Sequence, residues 1–461
     1  MKRRAFIKHM GIASGGALMF NIVPSTVLGR QAPSNRINIG MVGTGRQAVA
    51  VNFPGFARLP ECRVVAINDV DAWRMSQAEQ IIKKAYVKQG KPNQALKTYD
   101  DYRDLINDRD VDAVMISTAD HWHAPAAIAT ALAGKHVCME KAFSVAPMHG
   151  KAVVEAVKAA GVANRLDSEF RSLPAFHRAV ELVHNGVLGK LTQVVVGVPP
   201  ELNGSAIGPQ ATMGIPKELN YDMWLGPAFP APYTEKRVHE PKVLNSRPGW
   251  LRIKDYCNGM ITNWGAHLND IALWGMKREY ELPKTVAGTG TYDRGLWNTL
   301  NTFDLTYTYA DGMQLRYKID QPYVKFVGEN GWIRVKYSKE LTASKDALLA
   351  FKPGKNDICY DKTPADKADF VQSIKTGKPS MEPLAVGYNV YFLTMMGSIA
   401  IELGQKLTWD ARAECFVDNS AADALLTRPF RETWLDRNVI DWMNRYQAIY
   451  TLIEKVHRCL D

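Results

Sequence analysis

An apolar run, Ile37-Asn38-Ile39-Gly40-Met41-Val42, feeds directly into Gly43-Thr44-Gly45-Arg46-Gln47-Ala48, and this junction constrains the fold more than any other feature of the chain. The pattern is G-x-G-x-x-A, in which each small residue has a physical task. The first glycine allows a sharp turn, the second keeps a side chain away from an approaching pyrophosphate, and the alanine lets a helix pack closely on the strand. A helix beginning here would offer free backbone N–H groups to an anion. A second apolar run, Arg63 to Asn68, ends at Asp69, 24 residues beyond Gly45. A carboxylate at about that spacing meets the ribose hydroxyls of a dinucleotide, and its charge would repel a 2′-phosphate. The expectation is therefore NAD as cofactor, with NADP disfavoured.

The parallel-sheet pattern continues for more than a hundred residues. Asp112 to Ser117 and Lys135 to Glu140 read as buried strands, with a helix over Ala126 to Leu132 between them, ended by Gly134. Strands alternating with helices specify a doubly wound sheet. Another helix is expected over Pro174 to His184. From Leu191 the texture changes to long alternating runs at Thr192–Val198, Lys284–Tyr292, Thr302–Tyr309, Met313–Ile319 and Val324–Val335. Asp311-Gly312 and Asn330-Gly331 carry tight-hairpin chemistry, so this part should be an open, largely antiparallel sheet. The Pro/Gly-rich stretch from Pro199 to Pro248 is long enough to be a functional loop. Helices over Ala365–Lys375 and Val386–Gly404 should close the fold and return toward the first domain. An amphipathic tail with Ile440, Met443, Ile449, Ile453 and Val456 suits docking or dimerisation equally.

The N-terminus reads Lys2-Arg3-Arg4-Ala5-Phe6-Ile7-Lys8, then an apolar stretch from Met10 to Leu28 interrupted by Gly11, Gly15, Gly16 and Pro24. Twin arginines followed by Phe and Lys form the pattern of a Tat export signal, and the glycines and proline argue against a permanent spanning helix. Residues 1–30 are accordingly expected to be a signal, 36–165 a dinucleotide-binding domain, 166–380 a substrate and oligomerisation domain, and 381–461 returning helices with a tail. An exported, periplasmic protein without a stable membrane span follows, although no A-x-A cleavage site stands near Val27 to Arg30. The net charge of +10 includes four basic residues of the signal. The remainder is spread without a basic block, which excludes a nucleic-acid partner. Six cysteines show no C-x-x-C spacing, and His121-Trp122-His123 lacks a third ligand, so no metal site is expected.

Several motifs together resemble the Gfo/Idh/MocA oxidoreductases, from the fingerprint through about Phe430. They are Gly43-Thr44-Gly45, Asp69-Val70-Asp71, Thr118 with His123, Glu140-Lys141, Gly265-Ala266-His267 with Asp270, and Lys406-Leu407-Thr408-Trp409-Asp410. The resemblance implies an N-terminal Rossmann domain, a C-terminal open sheet used for homo-oligomerisation, and NAD(P)-dependent chemistry on a sugar, cyclitol or glycoside hydroxyl. It places Gly43, Thr44, Gly45, Arg46, Asp69, Thr118, His123 and Glu140 at the cofactor. Lys141 would orient the reacting oxygen, and His267 would take the hydroxyl proton, a role suited to a group titrating near neutrality.

Two positions depart from the family pattern. Ala142 stands where many members have proline, and Asn263 where many have an aspartate four residues before the histidine. Asn263 cannot raise the basicity of His267 by charge, so Asp255 or Asp270 is a candidate replacement. Trp122, Trp224, Trp250 and Trp264 could cover a sugar's C–H face, Arg171 could donate to its hydroxyls, and Asp255 and Asp270 are also expected at the substrate.

The sequence therefore reads as an exported NAD-dependent oxidoreductase acting on a sugar or glycoside hydroxyl, with C3 of a glycoside as the candidate position. Free nicotinamide cofactor is scarce outside the cytoplasm, so the cofactor should stay bound and be recycled within one turnover. Retention of Lys141 favours a dehydrogenase. Asn263 and Ala142 lean toward a glycosidase that oxidises transiently and eliminates. A sugar–sugar oxidoreductase would also close the cycle, and a non-catalytic saccharide-binding protein is the reading of a different class.

Overall fold

A computed structural model of the protein describes residues 36–91, 94–201, 207–360 and 365–458, the stretch from 449 onward by its backbone alone. The expected export signal lies outside the described residues.

The fingerprint strand β1 (Ile37–Val42) sits in the middle of a six-stranded parallel sheet with β2 (Cys62–Asn68), β3 (Lys97–Tyr99), β4 (Ala113–Ile116), β5 (His136–Glu140) and β6 (Asn164–Asp167). The strand order is β3-β2-β1-β4-β5-β6. The direction of winding therefore reverses between β1 and β4, and in such sheets a crevice opens at the C-terminal ends of those strands. Alternation sorts the side chains. Ala113 and Met115 join Ile39, Met41, Phe53 and Phe56 on one face. Val114 and Ile116 join Ala127, Ile128 and Val153 on the other. Helices therefore cover both faces, as buried parallel strands require.

The alternating runs form a nine-stranded sheet of order β13-β12-β11-β7-β10-β9-β8-β14-β15. Its strands are β7 (Leu191–Val198), β8 (Thr285–Tyr292), β9 (Leu300–Thr308), β10 (Gln314–Ile319), β11 (Tyr323–Gly328), β12 (Gly331–Lys336), β13 (Leu341–Ala343), β14 (Leu407–Asp410) and β15 (Cys415–Phe416). Only β7 and β10 pair in parallel; the other ladders of this sheet are antiparallel. One face is apolar, with Val194, Val196, Tyr307, Leu315, Tyr317, Val324 and Phe326 buried. It lies under the helices Pro174–His184, Gly265–Met276 and Leu384–Leu403. The alternate residues Thr306, Arg316, Lys325 and Arg334 remain open to solvent in whole or part. Both sheets agree with the fold class expected from sequence; one hairpin turns at Asp311-Gly312 as its residues predict, whereas the other turns one residue earlier than expected, at Glu329-Asn330, with Gly331 already paired to Gly328.

Four elements differ from the sequence expectation or sharpen it. The helix expected over Ala126–Leu132 starts at Asp120 and accommodates Pro125 within its first turns. The helix Leu384–Leu403 is apolar enough and long enough to cross a membrane, but it is buried between the second sheet and neighbouring helices. The terminal helix Arg437–Arg458 docks on this chain, packing against Asp120–Leu132 and Pro147–Ala160 through Val439, Ile440 and Met443. Finally, Asp366–Thr376 returns to the parallel sheet, where Phe370 and Val371 pack beside Phe53 and Phe56.

Candidate active site

The glycine turn is built as its sequence requires. Gly43 adopts φ +89°, and a Cβ there would lie 2.6 Å from the Ser117 carbonyl oxygen at the end of β4. Around Gly45, by contrast, a Cβ would meet nothing within 4 Å, so the backbone is open to a bulky anion. Asp69 clasps the turn from β2: its Oδ2 accepts from the Thr44 backbone N–H at 2.7 Å and the Thr44 hydroxyl at 2.8 Å, while Oδ1 accepts from the Asp71 N–H at 2.9 Å. Thr44 itself is buried. A carboxylate has about four lone-pair sites, so Asp69 can hold the turn and still meet a ribose hydroxyl.

Beyond the turn the helix opens with a π segment, Ala48–Asn52, a local form that often marks functional sites. It brings Asn52 under the cleft, where the amide donates to the Ser117 hydroxyl at 2.8 Å and to Glu140 Oε1 at 3.1 Å. Neither Asn52 nor Ser117 was singled out from sequence; the available signal was a lone amide in the apolar run Ala48-Val49-Ala50-Val51-Asn52-Phe53.

Gly43, Gly45, Arg46, Asp69, Thr118, Glu140, Lys141 and Asn263 line one cleft, together with Trp122, Trp224 and Trp250. Lys141 follows the last residue of β5, and its Nζ donates to Asn263 Oδ1 at 3.3 Å. Asn263 ends the short helix Met260–Asn263, and His267 lies one turn further on in Gly265–Met276. The ring of His267 stacks on Phe170, with centroids 4.5 Å apart and planes at 20°. Its Nδ1–H donates to the Ser168 carbonyl, a pairing that fixes the neutral tautomer and leaves Nε2 as an acceptor. Burial first, and the nearby Lys141 charge second, push its pKa down to about 3. The expected titration near neutrality is therefore corrected: at pH 7 this imidazole holds no extra proton.

Other candidates are placed elsewhere. His123 is fully buried outside the lining, with one ring nitrogen 3.2 Å from the Ala142 carbonyl and the other 3.2 Å from that of Thr118, so it braces the two cleft-forming loops from behind. Burial holds its pKa down to about 4. Arg171 and Asp270, both expected at the substrate, are spent on each other. Arg171 Nε lies 2.8 Å from Asp270 Oδ2 and Nη2 lies 2.6 Å from Oδ1, while Nη1 reaches Glu279 and the Met381 carbonyl at 2.7 Å each. Such a buried bidentate pair fixes the guanidinium away from the cleft, whose lining does not include Arg171. Asp255 is exposed on the lip of a second cavity beside Lys254 and Asn258. Neither Asp255 nor Asp270 supports His267; the carboxylate acting on that ring is Asp167. Trp264 packs against Tyr337 and Phe170 rather than lining the cleft.

The residues present fit a dinucleotide. An open glycine turn, a helix start free of side-chain caps and a carboxylate at the end of β2 are the features a pyrophosphate and ribose require. Of the described residues, Glu140, Asp167 and Glu169 stand close enough to hold a cation, but the Lys367 ammonium already lies against Asp167.

Comparison with known proteins agrees with this geometry. Residues 37–167 match the family described as "Oxidoreductase family, NAD-binding Rossmann fold", and residues 177–436 match "Oxidoreductase family, C-terminal alpha/beta domain" of the same Gfo/Idh/MocA group. A "Glycosyl hydrolase family 109 protein" of Shewanella putrefaciens is 34% identical over 154 residues, covering 30% of this chain and 33% of its own. The match thus spans about a third of that relative's length. Among solved structures, the aldose-aldose oxidoreductase of Caulobacter crescentus complexed with glycerol aligns with a TM-score of 0.58 at 18% identity, over 81% of this chain and 99% of its own. The WlbA dehydrogenase of Bordetella pertussis in complex with NADH and UDP-GlcNAcA has the same TM-score at 17% identity, over 81% and 99%. At these identities the structural likeness is one of fold.

Proposed function

Since the chain belongs to the Gfo/Idh/MocA oxidoreductases and carries their NAD-binding domain, we propose that it oxidises a hydroxyl of a sugar or glycoside, with the cofactor held and recycled inside each turnover. The observation that carries this reading is the position of Lys141, an ammonium held at Asn263 on the same cleft as the open glycine turn. When bound, NAD would supply a hydride acceptor for the carbinol carbon. The protein's own residues do the rest. Gly43, Gly45 and Asp69 hold the phosphate and ribose end, and Lys141 donates to the reacting oxygen. His267 Nε2 accepts from the hydroxyl and fixes its direction. Trp122, Trp224 and Trp250 offer apolar faces to the sugar's C–H groups and exclude water.

A glycosidase reading has its own support in the Shewanella relative and in Asn263. Oxidation at C3 of a glycoside would acidify the adjacent C–H, allow the glycosidic substituent to leave, and end with water addition and return of the hydride. The aldose–aldose fold neighbour supports a second way of closing the cycle, with another sugar as hydride acceptor. The twin-arginine N-terminus supports export, and export in turn supports a cofactor that never leaves. The solvent-facing side of the second sheet supports assembly as a homo-oligomer.

The test begins with protein purified without added cofactor. Mass spectrometry of the released nucleotide should find NAD, and mono- and disaccharides should then yield ketone products or cleaved bonds. Recovery of NADP, or no product from any saccharide, would overturn the reading. Cleavage without net ketone selects the glycosidase. Lys141→Ala should keep the nucleotide and lose at least about 100-fold in turnover, the lower range for a group acting on a proton in the transition state.

A further inference from the structure

β5 and β6 run in a register that pairs Glu140 with Asp167. Paired positions on neighbouring strands point to the same face, so two carboxyls stand side by side at the edge of the sheet that faces the cleft. Glu169, held two residues later at φ +69°, adds a third. One oxygen from each of the three carboxyls lies within 4.8 Å of the others. Asp167 is completely buried and Glu140 is 4% exposed. The cations near them are Lys367, ion-paired to Asp167, Lys141, and Arg165, whose charge also acts on Asp167; a fourth carboxyl, Asp366, acts on both Asp167 and Glu169.

Four carboxylates facing three cations leave one negative charge uncompensated where water is excluded. A hydrogen-bond deficit coincides with that excess, because Asp167 Oδ1 is buried without a donor. An acceptor surrounded by further acceptors needs an O–H, and like-charged carboxyls this close cannot all ionise. We propose that Glu140, Asp167 and Glu169 share one proton in the resting protein and store a second while the bound cofactor is reduced. The second half of this statement rests on the function proposed above.

The step balances. The carbinol C–H electron pair leaves as hydride to the cofactor, and the O–H proton goes to the cluster through Glu140, which lines the cleft beside Lys141. The ketone forms, position 141 keeps its charge, and the cluster gains one proton. Hydride transfer also removes the positive charge of the oxidised nicotinamide, so the added proton restores the local charge rather than raising it. Returning the hydride reverses both changes. His267 cannot serve this purpose, since its ring sheds a proton well below neutrality.

The environment of the cluster supports a resident proton. Burial, then the neighbouring Asp167, raises Glu140 to about 8, with Lys141 and Lys367 opposing. Burial, then Asp167 and Asp366, raises Glu169 to about 7. The other polar groups facing the cluster are the amide of Asn52, which donates to Glu140, that of Gln47, which donates to Glu169 at 3.2 Å, and Arg165, turned toward Asp366 and Asp369. None of these three can take up a proton from a carboxylic acid.

Infrared spectroscopy tests the proposal without any saccharide. The whole protein at pH 7 should show the C=O stretch of a protonated carboxylic acid, and Glu140→Gln or Glu169→Gln should remove or shift it. With NADH bound, the band should survive to higher pH than with NAD bound. Absence of the band at pH 7, or a band unaltered by both substitutions, overturns the resting proton. An identical midpoint in the two cofactor states overturns the store. A saccharide that is never oxidised would defeat the proposed function but leave these spectra as they are.

Discussion

At the scale of the residue, the two fingerprint glycines do different work and should fail differently. Gly43 is required by its own backbone: φ +89° and a carbonyl 2.6 Å from any added Cβ make Gly43→Ala a strain of about 1–3 kcal/mol. Gly45 has open space around it, so Gly45→Val should leave the melting temperature of the cofactor-free protein near that of the parent. Its NAD affinity should nevertheless fall at least about tenfold, about 1.4 kcal/mol. Calorimetry of both variants checks the contrast, and equal losses of stability would refute it. The fingerprint was legible in sequence because its geometry is local. The fate of Arg171 was not, since its partner Asp270 is 99 residues away and nothing along the chain announces the pairing. The neutral state of His267 was hidden for the same reason: it follows from burial and from Lys141, both products of the assembled fold.

At the scale of the element, the helix Asp366–Thr376 shows how a distant segment completes the parallel sheet. Lys367 ion-pairs with Asp167, and Arg165 Nε donates to the Asp366 carbonyl at 3.1 Å. Removing one partner of a buried pair leaves the other charge uncompensated, so Lys367→Ala should cost about 3–5 kcal/mol in denaturant titrations. An unchanged midpoint would show that Asp167 is already neutral by another route. The existence of this helix was readable from its periodicity. Its ionic partners on β6 were not, because a polar strand end such as Asn164-Arg165-Leu166-Asp167 looks like a surface position until something covers it. The terminal helix left docking and dimerisation open in sequence, and the burial of Val439, Ile440 and Met443 shows its first half docked on this chain's own helices; Ile449, Ile453 and Val456 lie outside the residues whose side chains are described.

At the scale of the whole molecule, buried titratable groups set opposing slopes of stability against pH. His121, His123 and His149 are pushed down to about 4 and His267 to about 3, chiefly by burial, against an ordinary value of 6.5. Below about 6.5 the unfolded chain binds protons that these rings refuse, so their contribution is present above that pH and is lost as pH falls toward 4. Glu140 acts in reverse. Its carboxyl, raised to about 8 from 4.5, contributes most in acid, and that contribution is lost as pH rises through about 8. Thermal midpoints of the parent and Glu140→Gln should therefore run together near pH 5 and separate progressively up to about pH 8, the parent falling faster over that interval. Parallel curves would contradict the raised carboxyl.

The open face of the second sheet carries the remaining expectation. Trp332 on β12 lies between Lys325 and Arg334, each within cation–π reach. If that face joins copies of the chain, Trp332→Glu should shift sedimentation toward a monomer, whereas an unchanged profile removes this face as the interface.

The route of the chain also has a consequence for its birth. Asp167 meets its lysine 200 positions later and Arg165 meets Asp366 at a separation of 201, so the last parallel strand lacks these partners when it leaves the ribosome. At about 5–20 residues per second, roughly 10–40 seconds of translation pass before they emerge. Throughout that interval the nascent dinucleotide-binding half must keep a charged strand end hydrated, and its closing can only follow near-complete synthesis.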